Sequence, residues 1–329
     1  MGDLKIRLST FISIVALSFF VSGQLANAQL FKKKPKPAGA EERTQASCIW
    51  KVSAADSTVY LAGSVHLLRT QDYPIPPAYQ AAYDDSARVV FEIDMNKMEN
   101  PELAGKIRKM GMFEAGDSLD KNLTKKTWRL LQRYIASRGI QALKLETMKP
   151  GFAFLTISSV ESMRLGAKAE LGLEKTFFDL SKKDVKLSSG LETIEFQLTL
   201  FDKLTAKEKD SLIRDTLQSV SKMSDSIDKM IGAWKVGDGK LLNELMSEEM
   251  KEGEKVRELM LTNRNKNWIP EIEKALEGPQ NIFFLVGAGH LVGKDSVVEL
   301  LQKRGHTLEQ LSYDSIEPLA KATEKAEAE

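Results

Sequence analysis

Two segments far apart in the chain read almost alike: "TVYLAGSVHLL" at 58–68 and "IFFLVGAGHLVG" at 282–293. Each is an apolar run of aromatic and β-branched residues, then Gly-x-x-His, then aliphatic residues. Short apolar runs closed by turn residues predict strands. In a βα arrangement the loops leaving the carboxyl ends of strands converge on one sheet edge, so residues just past two such strands face one crevice. The chain has three histidines, and two of them, His66 and His290, fill this slot. That pattern points to a site rather than to packing.

With 329 residues and 42% hydrophobic content, the chain can bury a substantial core in one large α/β domain or two smaller ones. Forty-seven Lys and Arg against forty-six Asp and Glu leave a net charge of +1. No global field favours nucleic acid, and a nucleic-acid partner is not expected.

The first residues carry Lys5 and Arg7, an apolar run from about Phe11 to Val21, and the small-residue exit Ala26-Asn27-Ala28. This is the three-part pattern of a secretory signal at 1–28, with cleavage after Ala28 and a periplasmic or extracellular destination. The apolar run is shorter than the roughly 20 residues a membrane span needs, so no span is expected after cleavage. Residues 29–46 read as a flexible basic leader and 316–329 as a frayed tail, with the α/β domain at 47–315. The single cysteine, Cys48, is not adjacent to the exit, and its thiol is expected buried in the first strand.

Strands are expected at 49–52, 58–63, 87–94, about 185–189 and 282–287. Helices are expected from near Glu102 after Pro101, through "KKTWRLLQRYIASRG" to Gly139, and after Pro150. Ile213, Leu217, Val220, Met223, Ile227, Met230 and Trp234 recur at steps of three or four, as one helical stripe ending before "GDGK". The fold expected is α/β: a central mixed sheet flanked by helices, with a long helical insert at about 205–280.

Glycine at Gly63 and Gly287 permits close backbone approach, and a neutral histidine nitrogen is a common ligand for Zn, Mn, Fe or Co. The third strand, "ARVVFEIDM", ends in Glu92 and Asp94, which point to one face because residues two apart do so in a strand. Glu92 would complete a two-His, one-carboxylate set, while Asp94 better suits a helix cap. Convergence on one ion would place the donor atoms of His66, Glu92 and His290 roughly 3 to 4 Å apart. The alternative is that each histidine hydrogen-bonds the backbone of its own turn.

The segments "YLAGSVH", "FEIDM", "LETIEFQ", "NRN" and "FLVGAGHLVG", in this order from about Trp50 to Ser312, resemble the TraB/GumN family, related to the TIKI extracellular proteases. The resemblance implies a pseudo-twofold (duplicated) α/β core and a metal-dependent hydrolase site. It carries site roles onto Gly63, His66, Glu92, Gly287 and His290, and adds Arg264, which spacing alone does not reveal. Two departures stand out: Glu174 in "GLEKTF" occupies a place where the family pattern has Asp, and Ser64 one where Thr is frequent. Glu192 fits the pattern but also suits a turn or helix start, and His306 reads as structural.

The function expected is an exported hydrolase of peptide bonds. His66, His290 and Glu92 would hold a divalent Mn, Co or Zn ion, with Glu92 as ligand or base and Arg264 steadying the developing oxyanion. The alternatives are a peptide- or metal-ligand-binding protein without turnover, and, from the family name alone, an accessory of surface polysaccharide export.

Overall fold

The computed structural model describes residues 46–249 and 254–313. The expected signal, nearly all of the leader and the tail lie outside the described residues. Among the described residues, no helix is long and apolar enough to cross a membrane.

Six strands form one mixed sheet: β1 (Ala46–Ser53), β2 (Thr58–Ser64), β3 (Arg88–Ile93), β4 (Leu187–Glu192), β5 (Ile282–Gly287) and β6 (Leu308–Ser312), in the order β4-β3-β5-β2-β1-β6. β4, β3, β5 and β2 run parallel, whereas β1 is antiparallel to both β2 and β6. The two Gly-x-x-His strands are therefore direct neighbours, with Gly63 opposite Val286 and Ser64 opposite Gly287. All six residues of β5 are buried, which is why its sequence is continuously apolar rather than alternating. Burying a side chain such as Phe283 or Phe284 stabilises the sheet by about 1.5–3 kcal/mol.

Helices cover the sheet: α1 (Pro77–Asp84), α2 (Pro101–Gly111), α3 (Lys125–Arg138), α4 (Pro150–Arg164), α5 (Leu173–Lys183), α6 (Ile194–Leu200), α7 (Ala206–Ser219), α8 (Met223–Lys235), α9 (Gly239–Glu249), α10 (Asn263–Leu276) and α11 (Val297–Lys303). Their ends follow local chemistry. Pro101 and Pro150 occupy first-turn positions, Asn100 caps α2 by accepting the Glu102 N–H, and Gly139 ends α3 at φ 66°. Trp234 of α8 is fully buried, and its Nε1 donates to the Gly63 carbonyl and to the Tyr79 hydroxyl, each at 2.8 Å. The helical layer is thereby fastened to the strand end that carries His66.

Three expectations need correction. The fourth strand begins at Leu187, because Val185 adopts φ 55° in the turn that leaves α5 and so cannot extend a strand. A sixth strand, Leu308–Ser312, was not expected: its residues are mostly polar and part-exposed, and it is held by pairing with β1. The apolar stripe at 213–234 is not one helix. A 3-10 turn at Val220–Lys222 separates α7 from α8, and the stripe stays apolar because both pieces face the core.

Candidate functional site

The carboxyl ends of β2, β3, β4 and β5 lie side by side, and each delivers a polar residue to one buried cluster. β2 leads to His66, β3 supplies Glu92, β4 ends on Glu192, and β5 leads through Gly287 to His290. The remaining members come from helices: Glu174 from α5, Gln197 from α6, and Arg264, Asn265 and Trp268 from α10. Helical spacing puts Arg264 and Trp268, four apart, on one face.

The motif glycines are required by space. A Cβ at Gly63 would lie 2.6 Å from the Cys48 sulfur. At Gly287 it would lie 3.0 Å from Glu92 Oε1, 3.5 Å from the His290 ring and 3.9 Å from His66 Nε2. Gly287 is thus the floor on which the two histidines and the carboxylate meet. Its N–H donates to Glu92 Oε1 at 2.6 Å.

Arg264 occupies the centre and is 1% exposed. Its Nη2 donates to Glu92 Oε2 at 2.5 Å, its Nε to Glu192 Oε2 at 2.8 Å, and its Nη1 to the Met260 carbonyl at 3.0 Å. Nη1 also lies 3.1 Å from His290 Nε2. The Met260 carbonyl belongs to a π-helical turn, Glu258–Thr262, in which Asn263 N–H reaches five residues back to Glu258. Such turns concentrate at functional sites. Trp268 donates to Glu192 Oε1 at 2.9 Å, and its ring packs on His290 with centroids 4.3 Å apart. Gln197 donates to Glu192 at 3.1 Å and to Glu92 at 3.4 Å, and its Oε1 has no hydrogen-bond partner among the described residues.

Both histidines are anchored through Nδ1. His290 Nδ1 lies 2.6 Å from Asn265 Oδ1, and His66 Nδ1 lies 2.7 Å from Glu174 Oε1, which also accepts from the Ser64 hydroxyl. An acceptor at Nδ1 places a proton there and turns Nε2 toward the cluster, where the neutral ring carries its lone pair. Burial pushes the His290 pKa down to about 3, so this ring is neutral. Burial also acts downward on His66, but Glu174 and Glu92 outweigh it and hold its pKa above the ordinary value. For Glu92 burial opposes ionisation, yet the Arg264 guanidinium, the neighbouring imidazoles and the Gly287 N–H hold its pKa at about 2. Glu192 is raised, chiefly by burial.

The residue types fit a divalent ion: two imidazoles, each oriented by a partner at Nδ1, and one ionised carboxylate, all against Gly287. The spacing expected of three ligands is reached only in part. His290 Nε2 is 3.6 Å from Glu92 Oε1, but no three His, Cys, Asp or Glu among the described residues are gathered as a metal's ligands would be. The guanidinium of Arg264 lies between Glu92 and His290 instead.

Asp94, the other acid of "FEIDM", caps the short helix Met95–Met98 by accepting the Asn96 N–H at 3.1 Å. His306 lies apart from the cluster, 3.1 Å from Glu273. Asn265, Trp268 and Gln197 were not anticipated. Asn265 stands inside "NRN" and Gln197 inside "LETIEFQ", so both motifs carried more site residues than were read from them.

The fold and cluster define a class: a mixed-sheet α/β protein with two imidazoles and a carboxylate at the ends of adjacent parallel strands. The chain belongs to the TraB/PrgY/gumN family, whose model matches residues 48–310. It is 21% identical to a protein of Nematostella vectensis named Metalloprotease TIKI homolog, across 94% of this chain and 77% of that one. It is also 21% identical to Metalloprotease TIKI2 of Danio rerio, across 82% of this chain and 61% of the relative. To the uncharacterized protein YbaP of Escherichia coli K12 it is 20% identical, across 74% and 87%. No solved structure matches the chain significantly.

Proposed function

We propose that this protein is an exported metal-dependent hydrolase acting on peptide bonds, with His66, His290 and Glu92 holding the ion. The observation that carries the reading is the pair of anchored imidazoles: Glu174 and Asn265 hold the two Nδ1 positions, so both rings turn toward Glu92 and Gly287. The names of the two TIKI relatives supply the reaction class.

When bound, such an ion brings the pKa of its water to about neutral and polarises a carbonyl. The chain's own residues do the rest. Glu174 and Asn265 hold the imidazole tautomers, and Glu92 stays ionised at physiological pH. Glu192, Trp268 and Gln197 position Arg264, whose guanidinium donors would meet negative charge developing on a carbonyl oxygen. The packed ring of Trp268 keeps water from the His290 face.

The test is hydrolysis of unfolded peptides by the mature protein supplied with Mn, Co or Zn, beside the double variant His66→Ala, His290→Ala. Turnover in the parent and none in the double variant is expected. A second reading, a binding protein for peptides or metal-containing ligands, is favoured by burial: His66, Glu92, Arg264 and His290 are each at most 9% exposed. Binding without turnover across all three ions would select it.

A further inference from the structure

We infer that divalent-cation binding here is an exchange, in which the ion takes the place the Arg264 guanidinium fills between Glu92 and His290, and Arg264 is the chain's own cation in the metal-free state. The inference rests on the metal-dependent reading above and states how that site is loaded.

One guanidinium engages donor atoms of two of the three candidate ligands. Nη2 takes Glu92 Oε2 at 2.5 Å, and Nη1 lies 3.1 Å from His290 Nε2. With Nδ1 of His290 at 2.6 Å from Asn265 Oδ1, the Nε2 lone pair is the ring's only remaining acceptor. A lone pair directed at a guanidinium N–H is not also directed at an ion. Two cations within about 4 Å of each other in a buried site also repel strongly, so a divalent ion and a seated guanidinium exclude one another.

The arrangement also provides for the displaced group. Arg264 Nε is bonded to Glu192 at 2.8 Å and Nη1 to the Met260 carbonyl at 3.0 Å, and neither acceptor is a candidate ligand. A guanidinium withdrawn from Glu92 and His290 still has the Glu192 carboxylate beside it, since both Glu192 oxygens already lie within hydrogen-bond reach of Arg264 Nε. Gln197 is 3% exposed, bonds both Glu92 and Glu192 through its amide nitrogen, and has an Oε1 without a hydrogen-bond partner among the described residues. That oxygen is a buried acceptor beside the two carboxylates, able to receive an N–H released from Glu92. Glu192 and Gln197 are thus the resting place of Arg264 in the loaded state.

Calorimetric titration of the mature protein with MnCl2, CoCl2 and ZnCl2, unaltered and as Arg264→Met, tests the exchange. If the seated guanidinium holds about nine-tenths or more of the molecules, removing it tightens binding by about ten-fold or more. Binding by Arg264→Met alone would support the exchange equally. If the unaltered protein binds an ion and a folded Arg264→Met binds it no tighter, the exchange is overturned and the metal reading stands. If neither binds any of the three ions, both fall. Should Arg264→Met fail to fold, the unaltered protein decides by NMR of the Arg264 side-chain N–H groups with and without diamagnetic zinc. A shift with faster Nη–H exchange on loading supports displacement, and an unchanged signal at zinc saturation overturns it.

Discussion

Glu174 Oε1 lies 2.7 Å from Nδ1 of His66, while Nε2 of the same ring would lie 3.9 Å from a Cβ placed on Gly287. The carboxylate thus sets which nitrogen carries the proton and aims the other at the cluster. Gly172, two residues before it, brings the α5 start against the His66 backbone, where a Cβ would sit 2.0 Å from the His66 carbonyl oxygen. The "GLEK" segment therefore packs behind the site, and Glu174 does the positioning.

Glu174→Gln is expected to weaken divalent-ion binding by about 10–100-fold, the usual effect of losing a histidine's outer partner. The fold should persist, since the amide oxygen still accepts the Nδ1 proton. Calorimetry with ZnCl2 beside a circular dichroism spectrum checks both halves, and unchanged affinity would remove Glu174 from the site.

The first prediction turns on a residue whose role was not legible in the sequence, and the reason is physical. Periodicity reports which faces are buried, so β2, β3 and β5 were legible from their apolar runs, and their shared carboxyl edge followed from the two Gly-x-x-His segments. It reports nothing about polar contacts made across elements. Glu174 meets His66, and Glu192 meets Arg264, only through tertiary packing over long chain separations. Arg264 came from family resemblance alone, since a lone arginine on an amphipathic helix is ordinarily solvated. Its burial at the centre became apparent only with α10 placed against the strand ends.

Space around the first motif glycine gives an independent test of the strand packing. Gly63→Ala drives a Cβ to 2.6 Å from the Cys48 sulfur, and overpacking of this kind costs about 1–3 kcal/mol. Cys48→Ala removes that sulfur, so the double variant should be less destabilised than the sum of the singles. Denaturant unfolding of the four proteins measures the coupling, and strict additivity would contradict the contact.

Cys48 itself should be inert. Burial pushes its thiol pKa from 9.0 up to about 12, so in the folded protein the reactive thiolate is scarce at pH 8 to 9. Because the folded pKa lies above the unfolded one, the thiol's contribution to stability is full below about pH 9 and is lost as pH rises toward 12. Iodoacetamide should label Cys48 only as fast as the protein unfolds. Rapid labelling at pH 8 without denaturant would refute the burial.

An exported chain would meet different metals and substrates from one retained in the cytoplasm. The charged start, apolar run and Ala26-Asn27-Ala28 exit predict a mature chain beginning at Gln29. Intact mass of protein recovered from outside the cytoplasm measures it. Recovery of the full-length chain would replace cleavage with retention.

Glu92→Gln separates the ligand role proposed for Glu92 from a role as base. As the third ligand, Glu92 supplies a negative charge to a divalent ion; a neutral amide oxygen donates poorly, so metal stoichiometry should fall. As the base, it would accept a proton from water, and its loss would leave metal in place while turnover dropped by about 10² to 10⁴. The environment argues for the ligand role. With its pKa held at about 2, Glu92 in the metal-free protein is a poor proton acceptor at neutral pH, because a base works best with a pKa near the working pH. The Gly287 N–H on Oε1 and the guanidinium on Oε2 both favour the anion, and a fixed anion is what an ion held by only two imidazoles requires. Metal content measured beside peptide hydrolysis, for the parent and Glu92→Gln, is expected to show both lost together. Full metal occupancy in Glu92→Gln with turnover abolished would instead make Glu92 the base and leave the third ligand to be found.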